Sequence, residues 1–262
     1  MLRPWLAALL ILSAAGLVRA EPVLRLVGDP WPPYTDQGLP GGGLAVELVR
    51  TALARAGYRV EYTEMPWTRA TRGLRQGRFD LYSAWYVRER EPYALHSAPY
   101  LFNRLRWITR RDEPIVYDGL DSLRGLRVAL VRGYSYSDRL THDTTLTRVL
   151  VNNFTSAARM LTAGRVDLTL EDERTALYHF DHELSLVREA YEFLPGEFQY
   201  KGLRLVVRRS HPQHRAIVAA FEREIAAMRE DGTLQRILDR HSFGETPVDH
   251  RRARHRPGQA RG

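Results

Sequence analysis

The sequence predicts an α/β protein of two lobes, each a mostly parallel sheet flanked by helices, joined by two hinge strands. Three observations predict it. Strand and helix patterns alternate through the first part of the chain. One phrase of sequence occurs twice. A further strand with helices behind it comes after the second copy.

The elements follow in order. Val23-Leu24-Arg25-Leu26-Val27 alternates and stops at Gly28-Asp29-Pro30, which reads as a strand entering a loop. Two prolines stiffen the loop Trp31-Pro32-Pro33-Tyr34. Gly41 to Gly43 then precede a helix whose Leu44, Leu48, Ala52 and Ala56 share one face and which stops near Gly57. Tyr58 to Tyr62 is the next strand. A helix from Trp67 to Gln76 ends at Gly77, suited to a left-handed C-terminal turn, and Phe79 to Ser83 is the third strand. This β-α-β-α-β order argues a parallel sheet with helices on its faces.

The phrase Leu74-Arg-Gln-Gly-Arg-Phe-Asp-Leu81 returns as Leu161-Thr-Ala-Gly-Arg-Val-Asp-Leu168. The second copy has its own preceding strand, Arg127 to Val131, and its own Gly133 loop, so a second lobe of similar build is expected. The strand Gly202 to Val207 comes late. A helix carrying Ile217, Phe221, Ile225 and Met228 follows, stopped at Gly232, and a short one runs from Thr233 to His241. If these pack back on the first lobe, the chain crosses between lobes near 109–113 and again near 200–203. The expected division is 21–111 with 203–245 for the first lobe and 112–202 for the second.

Both chain ends read differently. Arg3 precedes an apolar run from Trp5 to Val18, which ends in Val18-Arg19-Ala20. Residues 1–20 therefore read as a secretory signal peptide cleaved before Glu21, since the run is short of the roughly 20 apolar residues that span a bilayer. The chain has no cysteine, which excludes disulfides and a lipid-modified cysteine at the cleavage site. The formal charge is +8, but five arginines from Arg251 to Arg261 lie against Asp249 in the tail 246–262, which reads as disordered. Without leader and tail the balance is about +2. Export and this distribution argue against nucleic acid as a partner. The basic residues are almost all arginine, with Lys201 the sole lysine, which reads as base composition.

Several ordered motifs carry a resemblance: Trp31-Pro-Pro-Tyr34, Gly77-Arg-Phe-Asp80, Arg88-Glu-Arg90 with Ser97-Ala-Pro-Tyr100, Leu123-Arg-Gly-Leu-Arg-Val128, Gly164-Arg-Val-Asp167 and Asp231-Gly-Thr233. In order and spacing, from Leu24 to His241, the chain resembles the family 3 extracellular solute-binding proteins, the amino-acid-binding subunits of ABC importers. The resemblance implies the two-lobed periplasmic-binding-protein fold. It also implies a soluble, monomeric periplasmic protein and a small polar ligand resembling an amino acid, held in the cleft. The partner would be an inner-membrane permease or receptor.

Ligands of open α/β sheets sit beyond the carboxyl ends of strands. Tyr82, Ser83, Trp85 and Arg90 from the first lobe and Glu171 and Asp172 from the second therefore aim at one cleft. By resemblance Arg90 matches a carboxylate-binding arginine, Asp172 an ammonium-binding acid, Trp31 an aromatic that covers the ligand, and Ser135 a hydroxyl that helps hold the carboxylate. A guanidinium grips a carboxylate with two parallel hydrogen bonds. Each residue also has a plain structural reading. Arg90 could pair with Glu89 or Glu91, Asp172 cap the helix from Glu173 to Tyr178, Trp31 sit in a lobe core, and Gly133-Tyr134-Ser135 be an ordinary loop. Three residues depart from amino-acid binders: Trp85 where a small hydroxyl residue is frequent, Ala45 where some carry an acid for a cationic side chain, and His96 before Ser97. An aromatic or modified ligand fits these departures.

No nucleophile–base motif occurs, and His179 and His182, three apart, read as a solvated face, so no catalytic residue, metal or cofactor is expected. The competing readings are a dehydratase of the same fold acting on cyclohexadienyl acids, with Glu171 or Asp172 as general acid, and the sensing input of a membrane receptor.

Overall fold

The computed structural model describes residues 21–241, so the expected leader and the tail from 246 lie outside the described residues. The first strand, β1 (Val23–Gly28), pairs in parallel with β2 (Arg59–Glu64) and β3 (Leu81–Trp85). Helix α1 (Leu44–Arg55) joins β1 to β2, and α2 (Trp67–Arg75) joins β2 to β3. The second lobe repeats the plan. There β5 (Arg127–Val131) runs parallel to β6 (Thr147–Val151) and β7 (Leu168–Asp172), with α3 (Asp138–His142) and α4 (Phe154–Thr162) between them and α5 (Glu173–Asp181) after β7.

Two antiparallel strands link the lobes: β4 (Ala94–Arg110) and β9 (Gln199–Arg208). They place all the strands in one order, β2-β1-β3-β9-β4-β7-β5-β6, with β8 (Tyr191–Phe193) beside β4. The sequence patterns do not reveal β4, whose length spans both lobes. Its Ala94 to His96 pair with Arg208 to Val206 in the first lobe. Pairing with β7 in the second lobe begins at Leu105, opposite Asp172. Pairing of β4 with β9, which starts at Gln199, ends at Leu105, the residue where pairing with β7 begins.

The core follows the periodicity. Leu44, Leu48, Ala52 and Leu53 of α1 are fully buried, as are Ile217, Phe221, Ile225 and Met228 of α6 (His214–Glu230). The two helices pack together, and α7 (Thr233–Arg240) closes over them. Each such leucine or isoleucine contributes about 2 kcal/mol through burial.

The repeated phrase is a repeated structure. Gly77 and Gly164 take φ of 76° and 64°, the left-handed turn that a side chain disfavours. Beyond them Asp80 accepts from the amide and Nε of Arg25, each at 2.9 Å, and Asp167 accepts from the same two groups of Arg127 at 2.7 and 3.1 Å. In each lobe the aspartate thus ties the last strand of the phrase to the start of the first.

Candidate functional site

The cleft between the lobes is built on the loop after β1. There Trp31 N donates to Thr35 O at 2.7 Å, which closes the loop on itself. The first amides of α1 hold it from below: Leu44 N donates to Pro33 O and Ala45 N to Tyr34 O, both at 2.9 Å. Gly43 is required at this junction, because a Cβ there would lie 2.6 Å from the Tyr34 carbonyl oxygen. Ala45 is fully buried in that contact, so no acid reaches the cleft from its position.

Four aromatic rings line a first chamber of about 380 Å³: Trp31, Trp67, Trp85 and Tyr134. Trp31 meets Trp85 edge-on at 5.8 Å and Tyr134 at 6.4 Å, and Trp85 meets Tyr134 at 5.9 Å. Such edge contacts are favoured by the ring quadrupoles and fix each ring's tilt. Ser83, Arg90, Ser135 and Asp29 complete the wall. The structure thus brings Trp31, Ser83, Trp85, Arg90 and Ser135 together around one chamber.

Arg90 is 6% exposed and makes no ion pair among the described residues, either with the adjacent Glu89 and Glu91 or with any other acid. Its Nη1 donates to the Trp85 carbonyl at 2.7 Å, and the guanidinium lies 5.6 Å from both the Trp67 and the Tyr82 ring centres. A buried cation without a counter-charge is costly, and this one faces an aromatic chamber.

Tyr82 and Asp172 do not line that chamber. Tyr82 is on the other face of β3 from Ser83, packed against Trp67 at 5.2 Å, and it supports Arg90 from behind. Adjacent strand residues point to opposite faces. Asp172 is 1% exposed and accepts five hydrogen bonds: from the amides of Arg174 and Thr175, which it caps, from Arg104 N, from Asn103 Nδ2 and from Tyr34 Oη. The Tyr34 bond, 3.0 Å, runs from one lobe to the other. Burial raises the Asp172 carboxyl above its ordinary value despite these donors. Asn103 Oδ1 accepts from Trp85 Nε1 at 2.7 Å, so Asn103 links the chamber wall to Asp172. His96 lies on β4 opposite Val206, with its ring 5.1 Å from Tyr86.

Two residues of the cleft, Lys201 and Asp29, are not singled out by the sequence, and Glu171 is singled out only by its place at the carboxyl end of β7. Lys201 on β9 donates to the Ser135 carbonyl, and its ammonium sits 5.3 Å from the Trp85 ring centre. Burial lowers its pKa. Asp29, immediately after β1, faces the chamber, and burial, with Glu64 adding, raises it to about 7. Glu171 is 1% exposed. Its Oε1 accepts from Trp31 Nε1 at 3.4 Å, again between lobes, and from Asp172 N at 2.8 Å. Burial, helped by the charges of Asp172 and Asp29, raises its carboxyl to about 8. The signal available for Asp29 is its position at the carboxyl end of β1, the same rule that points to Glu171 on β7.

Solved structures of the same fold come from proteins of several roles. A histidine kinase sensor domain with similarity to periplasmic binding proteins is 24% identical, with 87% of this chain and 99% of that one covered at a TM-score of 0.73. An arginine third transport system periplasmic binding protein from Legionella pneumophila is 18% identical, covering 84% of this chain and all of that one, TM-score 0.71. An ancestral amino acid-binding protein, a precursor of cyclohexadienyl dehydratase, is 19% identical over 84% of this chain and 95% of its own, TM-score 0.68. No curated protein sequence matches the chain. The sequence profile of one family, however, matches residues 24–245, nearly all of what the two lobes comprise. With the two-lobed fold and a cleft walled by both lobes, the chain belongs to the bacterial extracellular solute-binding proteins, family 3.

Proposed function

We propose that the protein binds a small carboxylate-bearing solute, an amino acid or a compound like one, by closing its lobes, and presents it to an ABC importer in the inner membrane. Arg90 carries the reading: a buried guanidinium in an aromatic chamber, with no acid paired to it among the described residues, is complementary to a carboxylate. Trp31, Trp85 and Tyr134 then cover the solute's apolar part, and Ser83 and Ser135 offer hydroxyls from opposite lobes.

Lobe closure is our reading of the cross-cleft contacts. Tyr34 to Asp172 and Trp31 to Glu171 both join the loop after β1 to β7, and both break if the lobes rock apart about β4 and β9. A ligand touching both lobes favours the closed form by its differential affinity. The protein acts as a monomer in the periplasm, after cleavage before Glu21. Among the described residues no helix is long and apolar enough to cross a membrane.

We read it as a binding protein and not an enzyme, because the Ser83 hydroxyl of the first chamber accepts from Tyr100 Oη at 2.7 Å and is bonded to no base among the described residues. The likeness to a histidine kinase sensor domain favours a second reading, in which the closed form signals to a receptor. A thermal-shift panel of amino acids and other small carboxylates tests the main proposal, since a ligand of the folded state raises the melting temperature. At least one should do so in the wild type and shrink its radius of gyration in small-angle scattering. A panel without a hit, or a hit that leaves the scattering profile unchanged, contradicts it.

A further inference from the structure

Two cations stand at the first chamber, and Trp85 positions both. Arg90 Nη1 donates to the Trp85 carbonyl at 2.7 Å. The Lys201 ammonium lies 5.3 Å from the centre of the Trp85 ring, where the ring quadrupole attracts it. The ring is fixed in turn: Trp85 Nε1 donates to Asn103 Oδ1 at 2.7 Å, and Asn103 stands opposite Lys201 in the pairing of β4 with β9. Leu203, two residues along β9 and so on the same face as Lys201, lines the chamber. Lys201 gives one of its three ammonium donors to the Ser135 carbonyl, and no carboxylate pairs with it among the described residues. It therefore touches two residues of the chamber wall, Trp85 from the first lobe and Ser135 from the second. Burial lowers its pKa, and the charge of Arg90 acts in the same direction. Two cations drawn out of water without a counter-charge are costly. The acids of the cleft are mostly elsewhere: Asp36, Glu171 and Glu183 line a second cavity, of about 810 Å³, across the partition formed by Trp31 and Tyr134. Of the acids, Asp29 alone among the described residues lines the first chamber, and burial raises its carboxyl to about 7.

We infer that the first chamber takes a solute with two anionic groups, a dicarboxylate or an acidic amino acid, with one carboxylate at Arg90 and the second at the remaining donors of Lys201. Lysine suits the second place, because its ammonium turns its donors freely about a flexible stem and need not leave the Ser135 carbonyl to meet an anion. Trp85, where amino-acid binders frequently have a small hydroxyl residue, then sets the spacing of the two cations, one at its carbonyl and one over its ring. Lys201 is on a strand that links the lobes and touches both of them, so an anion bound there is held where the lobes meet. The inference rests on the carboxylate reading of Arg90 for the first group only.

Isothermal titration with two acid–amide pairs tests it: L-aspartate with L-asparagine, and L-glutamate with L-glutamine. The members of a pair share the carboxylate for Arg90 and differ only in the second group. In at least one pair the acid should bind at least about tenfold more tightly than the amide, because the amide leaves the ammonium unpaired. Lys201→Gln keeps an N–H donor for the Ser135 carbonyl and loses the charge. It should bring acid and amide to within about threefold of each other, while the melting temperature confirms folding. The ratio is taken within one variant, so a loss of stability that weakens both ligands equally leaves it unchanged. Equal binding of acid and amide in both pairs overturns the inference and leaves the Arg90 reading standing. A preference for the acid that survives Lys201→Gln, or failure of both acids to bind at millimolar concentration, also overturns it. A preference that Lys201→Gln removes, in a protein whose affinity for the acid is unchanged by Arg90→Met, supports the site at Lys201 and counts against the Arg90 reading.

Discussion

Replacing Arg90 with methionine separates a binding role from a structural one. In the folded chain the guanidinium makes one charge-assisted bond to the Trp85 carbonyl and lies over two rings at 5.6 Å. The bond contributes about 1.5–3 kcal/mol and each ring roughly 0.5–2 kcal/mol. Against these stands the desolvation of a cation that is 6% exposed and has no ion pair among the described residues, which costs several kcal/mol. The terms nearly cancel. Methionine is unbranched and fills irregular space, so Arg90→Met should lie within about 1 kcal/mol of the wild type. Urea denaturation reads this directly, with the slope m unchanged if the native state is intact. The same substitution should weaken a carboxylate ligand by about 2–5 kcal/mol, which is some thirty- to several-thousand-fold. A loss of more than about 3 kcal/mol of stability would make Arg90 a strut of the first lobe and refute the reasoning.

Three further outcomes are expected. Asp172→Ala strips five donors of their acceptor, including the α5 cap and the Tyr34 hydroxyl, and should cost about 3 kcal/mol or more in urea denaturation; a loss below about 1 kcal/mol would mean that other groups satisfy them. The Glu171 carboxyl is raised to about 8 in the folded chain, so the folded state holds its proton more tightly than the unfolded one. Its contribution to stability is therefore complete below the unfolded value near pH 4–5 and is lost as pH rises toward 8, by at most about 1.4 kcal/mol per unit. Asp29 acts in the same direction up to about 7. Glu171→Gln should flatten this slope, and an unchanged slope in melting curves from pH 5 to about 8 would place the proton elsewhere. Trp31→Phe should remove much of the fluorescence change on ligand binding and weaken binding only modestly, since an aromatic face remains beside Trp85 and Tyr134.

The lobes were legible because their signals are local. Gly77 and Gly164 mark a left-handed turn that few other residues accept, and the aspartate three residues on bonds back to the first strand of its lobe in both lobes. The apolar spacing of α1 and α6 marks faces that are buried as the spacing implies. β4 escaped because its Ser97-Ala-Pro-Tyr100 stretch interrupts the pairing with β9, which shifts register on either side of Pro99, so no simple alternation runs along it. Of the residues lining the chamber, Ser83, Trp85 and Arg90 are pointed to by the rule that ligands sit at the carboxyl ends of strands, and Trp31 and Ser135 by the family resemblance. Tyr82 lies outside the chamber because strand neighbours alternate faces, a constraint that naming it together with Ser83 overlooked. Lys201 read as base composition because nothing local distinguishes a lysine on a strand. Only the meeting of β9 with the Ser135 loop, 66 residues apart in the chain, brings it to the cleft. The capping role of Asp172 was visible beforehand, but the Tyr34 and Asn103 donors that complete its shell come from sequence-distant elements.

The most direct test of the central claim is a calorimetric cycle on one ligand from the thermal-shift panel. The ligand and its carboxamide analogue are each titrated into the wild type and into Arg90→Met. If the guanidinium grips the carboxylate, converting the ligand to its amide should cost about 2–5 kcal/mol in the wild type and almost nothing in the variant, a coupling of the same size. A coupling near zero, with acid and amide losing affinity equally in the variant, would contradict the carboxylate clamp at Arg90 and the proposed function built on it.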